Sequence, residues 1–428
     1  MILTSCAACA APLGLSLGKK CGRCSTRYCG PACQKQHWDG GHKDVCKKIK
    51  KGGGAEQYHA DKKTKEAVVV AVEACADDTK GQKCYICLEA VHPHTGEGLV
   101  RGCACGDRDG VSSPELGVAH VSCLARQAKI AVEEAEENSL GSAAFDERWA
   151  RWYMCGLCEQ TYHGVVRCAL GWACWKTYLG RPETDTARQN ALNRLAGGLC
   201  DANLHEDALP VQEAEVALLW RVNSGGIIVA QGNLAGTYHA LGRLEEALKM
   251  KRDVYTASLK ILGEECEGTL QRANSYAVCL TDLQHYEEAR TLLRKTMPGA
   301  RRVLGESHQL VLMMRCNYGV ALYEDPAATL DDIREGVTTL KDVEQTARRM
   351  LGGSHPTVVE FERTMRDARA ALRAREAQGE AQDAFRTARA KLAQERSQLP
   401  PTLADASARP SKEAPPRRET GDDSSLGA

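Results

Sequence analysis

The chain has 428 residues, and its 56 Lys and Arg balance 56 Asp and Glu, so it carries no net charge at pH 7. That length allows about two to four domains, and the balance excludes an overall field that selects nucleic acid or an anionic membrane. The charge is uneven all the same: residues 1–65 hold thirteen Lys or Arg against Asp39, Asp44, Glu56 and Asp61, so the first part is locally basic. The 21 cysteines could belong to a secreted disulfide scaffold or to metal sites. Fourteen stand in metal-ligand spacing and seven are scattered, which points to zinc thiolates in a reducing compartment, cytoplasmic or nuclear. Residues 1–18 are uncharged and rich in small apolar side chains, but Met1-Ile2-Leu3-Thr4 lacks the basic start of a signal peptide. No run reaches the roughly 18 apolar residues of a membrane span.

Two residues between cysteines let both thiolates reach one ion from a single tight turn, and zinc takes four such ligands in a closed tetrahedron. The first set is Cys6-x-x-Cys9, Cys21-x-x-Cys24, Cys29-x-x-x-Cys33, His42 and Cys46. The text Tyr28-Cys29-Gly30-Pro31-Ala32-Cys33-Gln34, with Trp38, His42, Lys43 and Cys46, resembles a MYND finger. The resemblance implies that Cys6, Cys9, Cys29 and Cys33 hold one zinc, and that Cys21, Cys24, His42 and Cys46 hold another. One residue is inserted against the family pattern in Asp39-Gly40-Gly41, which leaves His37 as a competing ligand. A finger of this size has no room for an apolar core of its own, so the metals are expected to supply its folding energy. MYND fingers dock peptides, often proline-rich, and some accompany a methyltransferase domain; no SET-like signature follows here. The lysines Lys19, Lys20, Lys35, Lys43, Lys47, Lys48, Lys50 and Lys51 could touch phosphates. Without interleaved aromatics, a solvated face is the preferred reading, and nucleic acid is not an expected partner.

Residues 47–80 are predicted to be a linker. Lys47 to Lys51 reads as a solvated run or a nuclear localisation signal, Gly52-Gly53-Gly54 breaks regular structure, and Asp61 to Cys75 suits a short helix.

The second ligand set, within residues 81–165, is Cys84-x-x-Cys87, Cys103-x-Cys105, His120-x-x-Cys123 and Cys155-x-x-Cys158. This order of seven thiols and one imidazole resembles the RING-CH (RING variant) finger. The resemblance implies interleaved ligation: Cys84, Cys87, His120 and Cys123 on one zinc, Cys103, Cys105, Cys155 and Cys158 on the other. It also implies docking of a ubiquitin-conjugating enzyme on a face that includes Ile86. Two positions depart from the family: Gln127 stands where a Trp is common, and Glu159 where active ligases often carry a basic residue. Both finger sets are complete with protein ligands, so all four zinc ions are expected to be structural, with no open coordination position.

Val165 to Tyr178 is predicted to be an amphipathic helix that uses Trp172 and Trp175 for packing. Repeats then occupy residues 166–375. Leu262-Gly263-Glu264 recurs 42 residues later as Leu304-Gly305-Glu306 and 47 after that as Leu351-Gly352-Gly353; Leu179-Gly180-Arg181 lies 83 before it. Asn233-Leu234-Ala235 with Glu245-Glu246-Ala247 parallels Asn274 and Ala277 with Glu287-Glu288-Ala289, and Glu206-Asp207-Ala208-Leu209 is a weaker partner. Helix pairs at a fixed period indicate an α-solenoid, since one pair cannot bury its own apolar face. The period resembles the tetratricopeptide repeats of kinesin light chains. That resemblance implies a concave groove in which Asn233, Asn274 and Asn317 bind peptide backbone; the alternative is that they cap or cross-link helices.

A charged helix is expected from about Thr357 to Arg396, its first part capping the solenoid and 376–396 projecting; the Pro- and Ser-rich text of 397–428 reads as disorder. No phosphate loop, nucleophile elbow or HExxH helix appears. The seven spare cysteines (Cys75, Cys168, Cys174, Cys200, Cys266, Cys279, Cys316) read as small buried hydrophobes. The sequence thus describes a mainly α protein: two zinc-stabilised fingers, a tetratricopeptide α-solenoid and a tail. The expected function is a zinc-binding interaction protein that recruits peptide segments of clients, with E3 ubiquitin ligase activity or a purely adaptor role as the two main alternatives and nucleic-acid association through the basic first 65 residues as a less favoured third.

Overall fold

A computed structural model describes residues 4–14, 18–105 and 117–398, with side chains to 395. The tail expected at 397–428 lies outside the described residues from 399 onward. The chain divides into two units, Met1–Leu372 and Arg373–Ala428.

The first finger opens with a two-residue ladder. β1 (Lys19–Lys20) runs antiparallel to β2 (Arg27–Tyr28), Lys19 facing Tyr28. α1 (Pro31–His37) begins with proline, whose missing N–H costs nothing at a helix start. The inserted residue after Trp38 is taken up by a π-helical turn, Trp38–His42, in which Gly41 sits at φ 112°. Glycine is the residue that adopts this angle without a steric penalty, so the extra residue bulges outward and α2 (Lys43–Lys51) continues beyond it.

The predicted linker is a structured part of the fold. Gly52–Gly54 forms a tight turn closed by Gly54 N–H donating to the Ile49 carbonyl at 3.1 Å, and Ala55 N–H donates to Cys24 of the first finger at 2.8 Å. α3 (Ala55–Ala74) follows. Its buried positions Ala60, Val68 and Ala71 recur at helical spacing and enter the same apolar clusters as Cys168, Trp172, Val166 and Leu170. That amphipathic stripe outweighs the breaking tendency of the glycines.

In the second finger β3 (Val100–Arg101) pairs antiparallel with β4 (Val118–Ala119). The long stretch between Cys123 and Cys155 folds as α4 (Val121–Glu137), α5 (Ser142–Trp149) and a 3-10 turn, Ala150–Trp152. Trp149 and Trp152 are buried and place their rings 5.3 and 5.8 Å from that of Tyr178.

Tyr178 ends α6 (Gly164–Tyr178), which carries Trp172 and Trp175 in the core. This helix was expected to be amphipathic but is buried nearly all round, because α3 and α4 cover the side that solvent would otherwise take. Its other neighbour is α7 (Thr186–Asp201). The two approach backbone to backbone: a Cβ on Gly198 would stand 2.8 Å from the Arg167 carbonyl, and one on Gly171 would stand 2.9 Å from that of Arg194.

The repeats are antiparallel helix pairs: α7 with α8 (His205–Arg221), α9 (Ile227–Ala240) with α10 (Leu244–Leu262), α11 (Glu267–Asp282) with α12 (Tyr286–Leu304), and α13 (Gln309–Tyr323) with α14 (Leu330–Leu351). The recurring Leu-Gly text marks the end of the second helix in the last three pairs, while α8 ends at Arg221 without it. Gly263, Gly305 and Gly352 follow α10, α12 and α14 at φ 84°, 87° and 88°, the left-handed region that stops a helix. α15 (Pro356–Gln398) closes the series. Its Val358, Phe361, Met365 and Ala368 are buried with Leu312, Leu340 and Val343, which covers the apolar face of the last pair. In the second unit every residue from Ala377 to Glu395 is exposed.

Candidate metal centres

The ligand residues named from the sequence converge in four groups: Cys6, Cys9, Cys29 and Cys33; Cys21, Cys24, His42 and Cys46; Cys84, Cys87, His120 and Cys123; Cys103, Cys105, Cys155 and Cys158. Within each, the donor atoms all lie within 4.8 Å of one another. Both fingers are cross-braced, because the first and third ligand pairs share one group and the second and fourth share the other. The spacing suits zinc. Zn–S bonds of about 2.3 Å and Zn–N bonds of about 2.0 Å in a tetrahedron put sulfurs about 3.8 Å apart, and sulfur about 3.5 Å from nitrogen. Cys21 and Cys46 Sγ are 3.9 Å apart, Cys9 and Cys29 3.6 Å, and Cys105 and Cys155 3.5 Å. Cys24 Sγ lies 3.3 Å from His42 Nε2, and Cys87 and Cys123 Sγ lie 3.3 and 3.7 Å from His120 Nδ1. All these cysteines are free thiols.

Burial lowers the His42 and His120 pKa values, which keeps both imidazoles neutral and able to ligate. His37, the competing ligand, lies outside the group and places Nδ1 2.9 Å from the Tyr28 hydroxyl. The thiols cannot all ionise side by side without a cation. Burial, reinforced by hydrogen bonds with Cys24 and Cys21, pushes Cys46 up to about 12, and the hydrogen bond with Cys29 pushes Cys33 up to about 12. A divalent ion reverses that penalty and takes the thiolates. The groups also differ in exposure: Cys9 and Cys29 are exposed, whereas all four residues around His42 are buried.

Among the spare cysteines, burial pushes Cys168 and Cys316 up to about 12 and also raises Cys174 well above its ordinary value. They behave as core residues, not nucleophiles.

Two surfaces accompany the metal groups. On the second finger, Tyr85, Gln127, Ile130, Ala131, Gly156 and Leu157 line a groove between the loops of both metal groups and α4, with Arg148 and Arg151 at its edge. Ile130 and Leu157 are exposed in it. Ile86 is not among its lining residues; it is half-buried against the apolar cluster that contains Cys84. Leu157, between the last two ligands, mirrors the position of Ile86 between the first two, and that spacing is the only sequence signal for its place in the groove.

On the solenoid, Asn233 lines a hollow with Lys251, Gln271, Arg272 and Ser275. Asn274 and Asn317 do otherwise: Asn317 Nδ2 donates to Asn274 Oδ1 at 2.8 Å, which cross-links α11 and α13, and Asn274 is 5% exposed. The basic pair Lys251 and Arg272 gave no sequence signal beyond its place in the repeats.

Two stretches of the chain match known families. The MYND finger family matches residues 6–46, and the tetratricopeptide repeat family matches residues 226–302. Neither match reaches residues 84–158. No curated protein is similar to the chain at a significant level. Among solved structures, nearly identical TPR-like repeats of a putative kinesin light chain from Podosopora anserina align at 20% identity over 50% of this chain and 98% of that one, with a TM-score of 0.37. A singly substituted form of those repeats aligns at 19% identity over 54% and 97%, with a TM-score of 0.34. BtubC (BKLC) from P. vanneervenii aligns at 14% over 70% and 99%, with a TM-score of 0.33.

The chain is therefore a zinc-binding protein-interaction protein. It combines a MYND finger with tetratricopeptide repeats, and its four Cys/His groups suit four structural zinc ions. No helix of the described residues is long and apolar enough to cross a membrane.

Proposed function

We propose that this protein is a zinc-braced adaptor. It captures extended client segments in the hollow around Asn233 and on the MYND finger, where Trp38 is exposed, and offers the groove of the second finger to another protein. The reading is carried by that groove: exposed Ile130 and Leu157 stand in a concave face fixed on both sides by metal groups. A face of this kind is preorganised, so little ordering entropy opposes binding. The sixteen Cys and His residues act as structural ligands in this scheme and no residue is catalytic.

A second, finer reading is supported by the cross-braced ligand order. In it the second finger is RING-CH-like and the groove docks a ubiquitin-conjugating enzyme. The protein then acts as an E3 ligase by proximity alone, raising the effective concentration of client and charged enzyme. Gln127 in the groove and Glu159 after the last ligand favour the adaptor. The deciding experiment is self-ubiquitination by the zinc-loaded chain with activating enzyme, ATP and a panel of conjugating enzymes, beside Leu157→Ala and Ile130→Ala. Conjugates that disappear in both variants, with zinc content unchanged, establish the ligase. Silence across the panel with full zinc leaves the adaptor, and restoration by Glu159→Arg would identify the missing basic residue as the reason.

A further inference from the structure

Gln160, two residues past the last zinc ligand, uses both ends of its carboxamide. Its Oε1 accepts from Ala104 N–H at 3.2 Å, between Cys103 and Cys105, and its Nε2 donates to the Leu351 carbonyl at 3.0 Å. Leu351 is the last residue of α14, 191 positions away. One buried side chain thus ties the second finger to the far end of the repeats. Three residues on, His163 donates its backbone N–H to the Gly102 carbonyl at 3.0 Å, and its ring faces that of His355 with centroids 6.0 Å apart at 71°. His355 begins α15: its Nδ1 accepts from Thr357 N–H at 3.2 Å.

Two of these contacts depend on neutral imidazoles: the approach of the two rings and the cap that His355 Nδ1 places on α15. A proton on His355 Nδ1 removes the acceptor that caps α15 and sets a positive charge at the positive end of that helix. A proton on His163 puts a half-buried charge opposite His355. The charged groups near the pair are few. Asp201, from α7, favours a charged His163, but its carboxylate is already engaged by Arg167 at 3.2 Å and by Gly164 N–H at 2.8 Å. On His355, at the start of α15, the charge of His163 acts from the start of α6 and opposes its charging.

We propose that Gln160, His163, Leu351 and His355 form a proton-operated latch, which holds the last repeat against the second finger while the imidazoles are neutral and releases it when they charge. The inference stands apart from whichever partner the finger takes. Burial lowers both pKa values below the ordinary 6.5. The open form therefore binds more protons than the closed one once the pH drops below 6.5. Closure is complete above that value and is lost as the pH falls toward the depressed pKa values, by about tenfold per pH unit for each histidine.

The test is hydrogen exchange on the full zinc-loaded chain from about pH 7.5 to about 5.5, corrected for intrinsic rates, with zinc measured at each pH. Protection of the first turns of α15 is expected to hold constant above pH 6.5 and to fall below it. His355→Asn keeps a cap acceptor that cannot charge, and its protection should fall less steeply than in the wild type because only His163 still titrates; His163→Asn combined with His355→Asn should stay flat over the range. Gln160→Ala should lower protection at every pH. His163→Asn is the second neutral variant, should His355→Asn fold poorly. Equal pH dependence in the wild type and the neutral variants overturns the latch. So does loss of zinc at the same pH as loss of protection, since the finger would then be the titrating element.

Discussion

In the first finger, the buried cluster consists of Cys6, Leu13, Cys21, Cys24, Tyr28, Cys46, Ile49 and Ala55; four of these eight are metal ligands. In the repeats, the corresponding cluster is Leu270, Ala277, Leu293, Met297, Ala300, Leu310, Val311, Met314, Tyr318 and Leu322, with no ligand among them. The finger's interior is largely its metal-binding apparatus, so its folding free energy is binding free energy. The repeats draw theirs from apolar burial, shared between neighbouring helices. The second finger lies between these limits. Its cluster mixes Cys84, Cys103, Cys105, Cys123 and Cys155 with Leu99, Val118, Leu124, Val166 and Leu170, and the last two belong to α6.

Zinc removal tests this contrast with the largest expected effect. Each structural zinc contributes on the order of 10 kcal/mol to a small finger. A strong chelator should abolish amide protection over residues 6–46 and loosen 84–158. Because of the shared cluster, α3 and α6 should lose part of their protection as well. Helices α9 to α14 should remain protected. Collapse of all helical signal on chelation would show that the repeats depend on metal as much as the fingers do, and the contrast would be wrong. Recovery is expected above neutral pH and not in acid, since the ligand thiols must lose their protons to bind.

The ligand groups were legible because metal chemistry imposes short local spacings that survive without any knowledge of the fold. The repeats were legible because three units end on the same Leu-Gly text, and a glycine at positive φ is a local requirement there; the α7–α8 unit lacks that text. In the segment between the fingers a helix was legible, since Asp61 to Cys75 suits one, but its packing was not. Gly52–Gly54 is a strong local breaker, and the stripe Ala60, Val68, Ala71 is too weakly apolar to predict that α3 packs on α6. Trp149 and Trp152 went unassigned because nothing local links them to Tyr178. Asn274 and Asn317 illustrate another limit: their repeat position is readable, but whether each faces a groove or its neighbour depends on helix rotation that only packing decides.

Trp152 probes the join between the two kinds of core. It is 1% exposed and its Nε1–H donates to the Tyr178 hydroxyl at 3.3 Å. Trp152→Ala should cost about 3–5 kcal/mol, lower the melting temperature and make the second finger release zinc to a chelator sooner. The first finger should release zinc at the wild-type rate. An equal change in both fingers would mean that the two are coupled more tightly than the clusters indicate.

Glu215 sharpens the contrast inside the repeats. Its carboxyl is buried on α8 and accepts one hydrogen bond from Asn193 Nδ2 at 2.9 Å. Burial raises its pKa to about 7 from 4.5. Between those values the folded chain holds a proton that the unfolded chain has lost, so stability falls as the pH rises from 4.5 through 7. The full effect is about 3 kcal/mol at 1.36 kcal/mol per unit. Glu215→Gln should therefore be more stable than wild type at about pH 8 and nearly equal to it at about pH 5, read as denaturation midpoints of the repeats. A constant difference across that range would show that Glu215 does not titrate in the folded chain.

The smallest expected effect lies at the start of α14. Thr329 Oγ1 accepts from Asp332 N–H at 3.2 Å, and Asp332 Oδ2 accepts from Thr329 N–H at 2.9 Å, a reciprocal cap that satisfies two otherwise free donors. Thr329→Ala removes one half and should cost about 1 kcal/mol. In a stacked array that loss is local: a repeat's stability is its own plus that of the faces it shares. Protection should thus drop in α14 and its neighbours α13 and α15, while α7 to α10 and the zinc content stay unchanged. If protection drops evenly from α7 to α15, the array unfolds as a single cooperative block. The contrast between metal-held and packing-held regions would then still stand, but the repeats could no longer be treated as separable units.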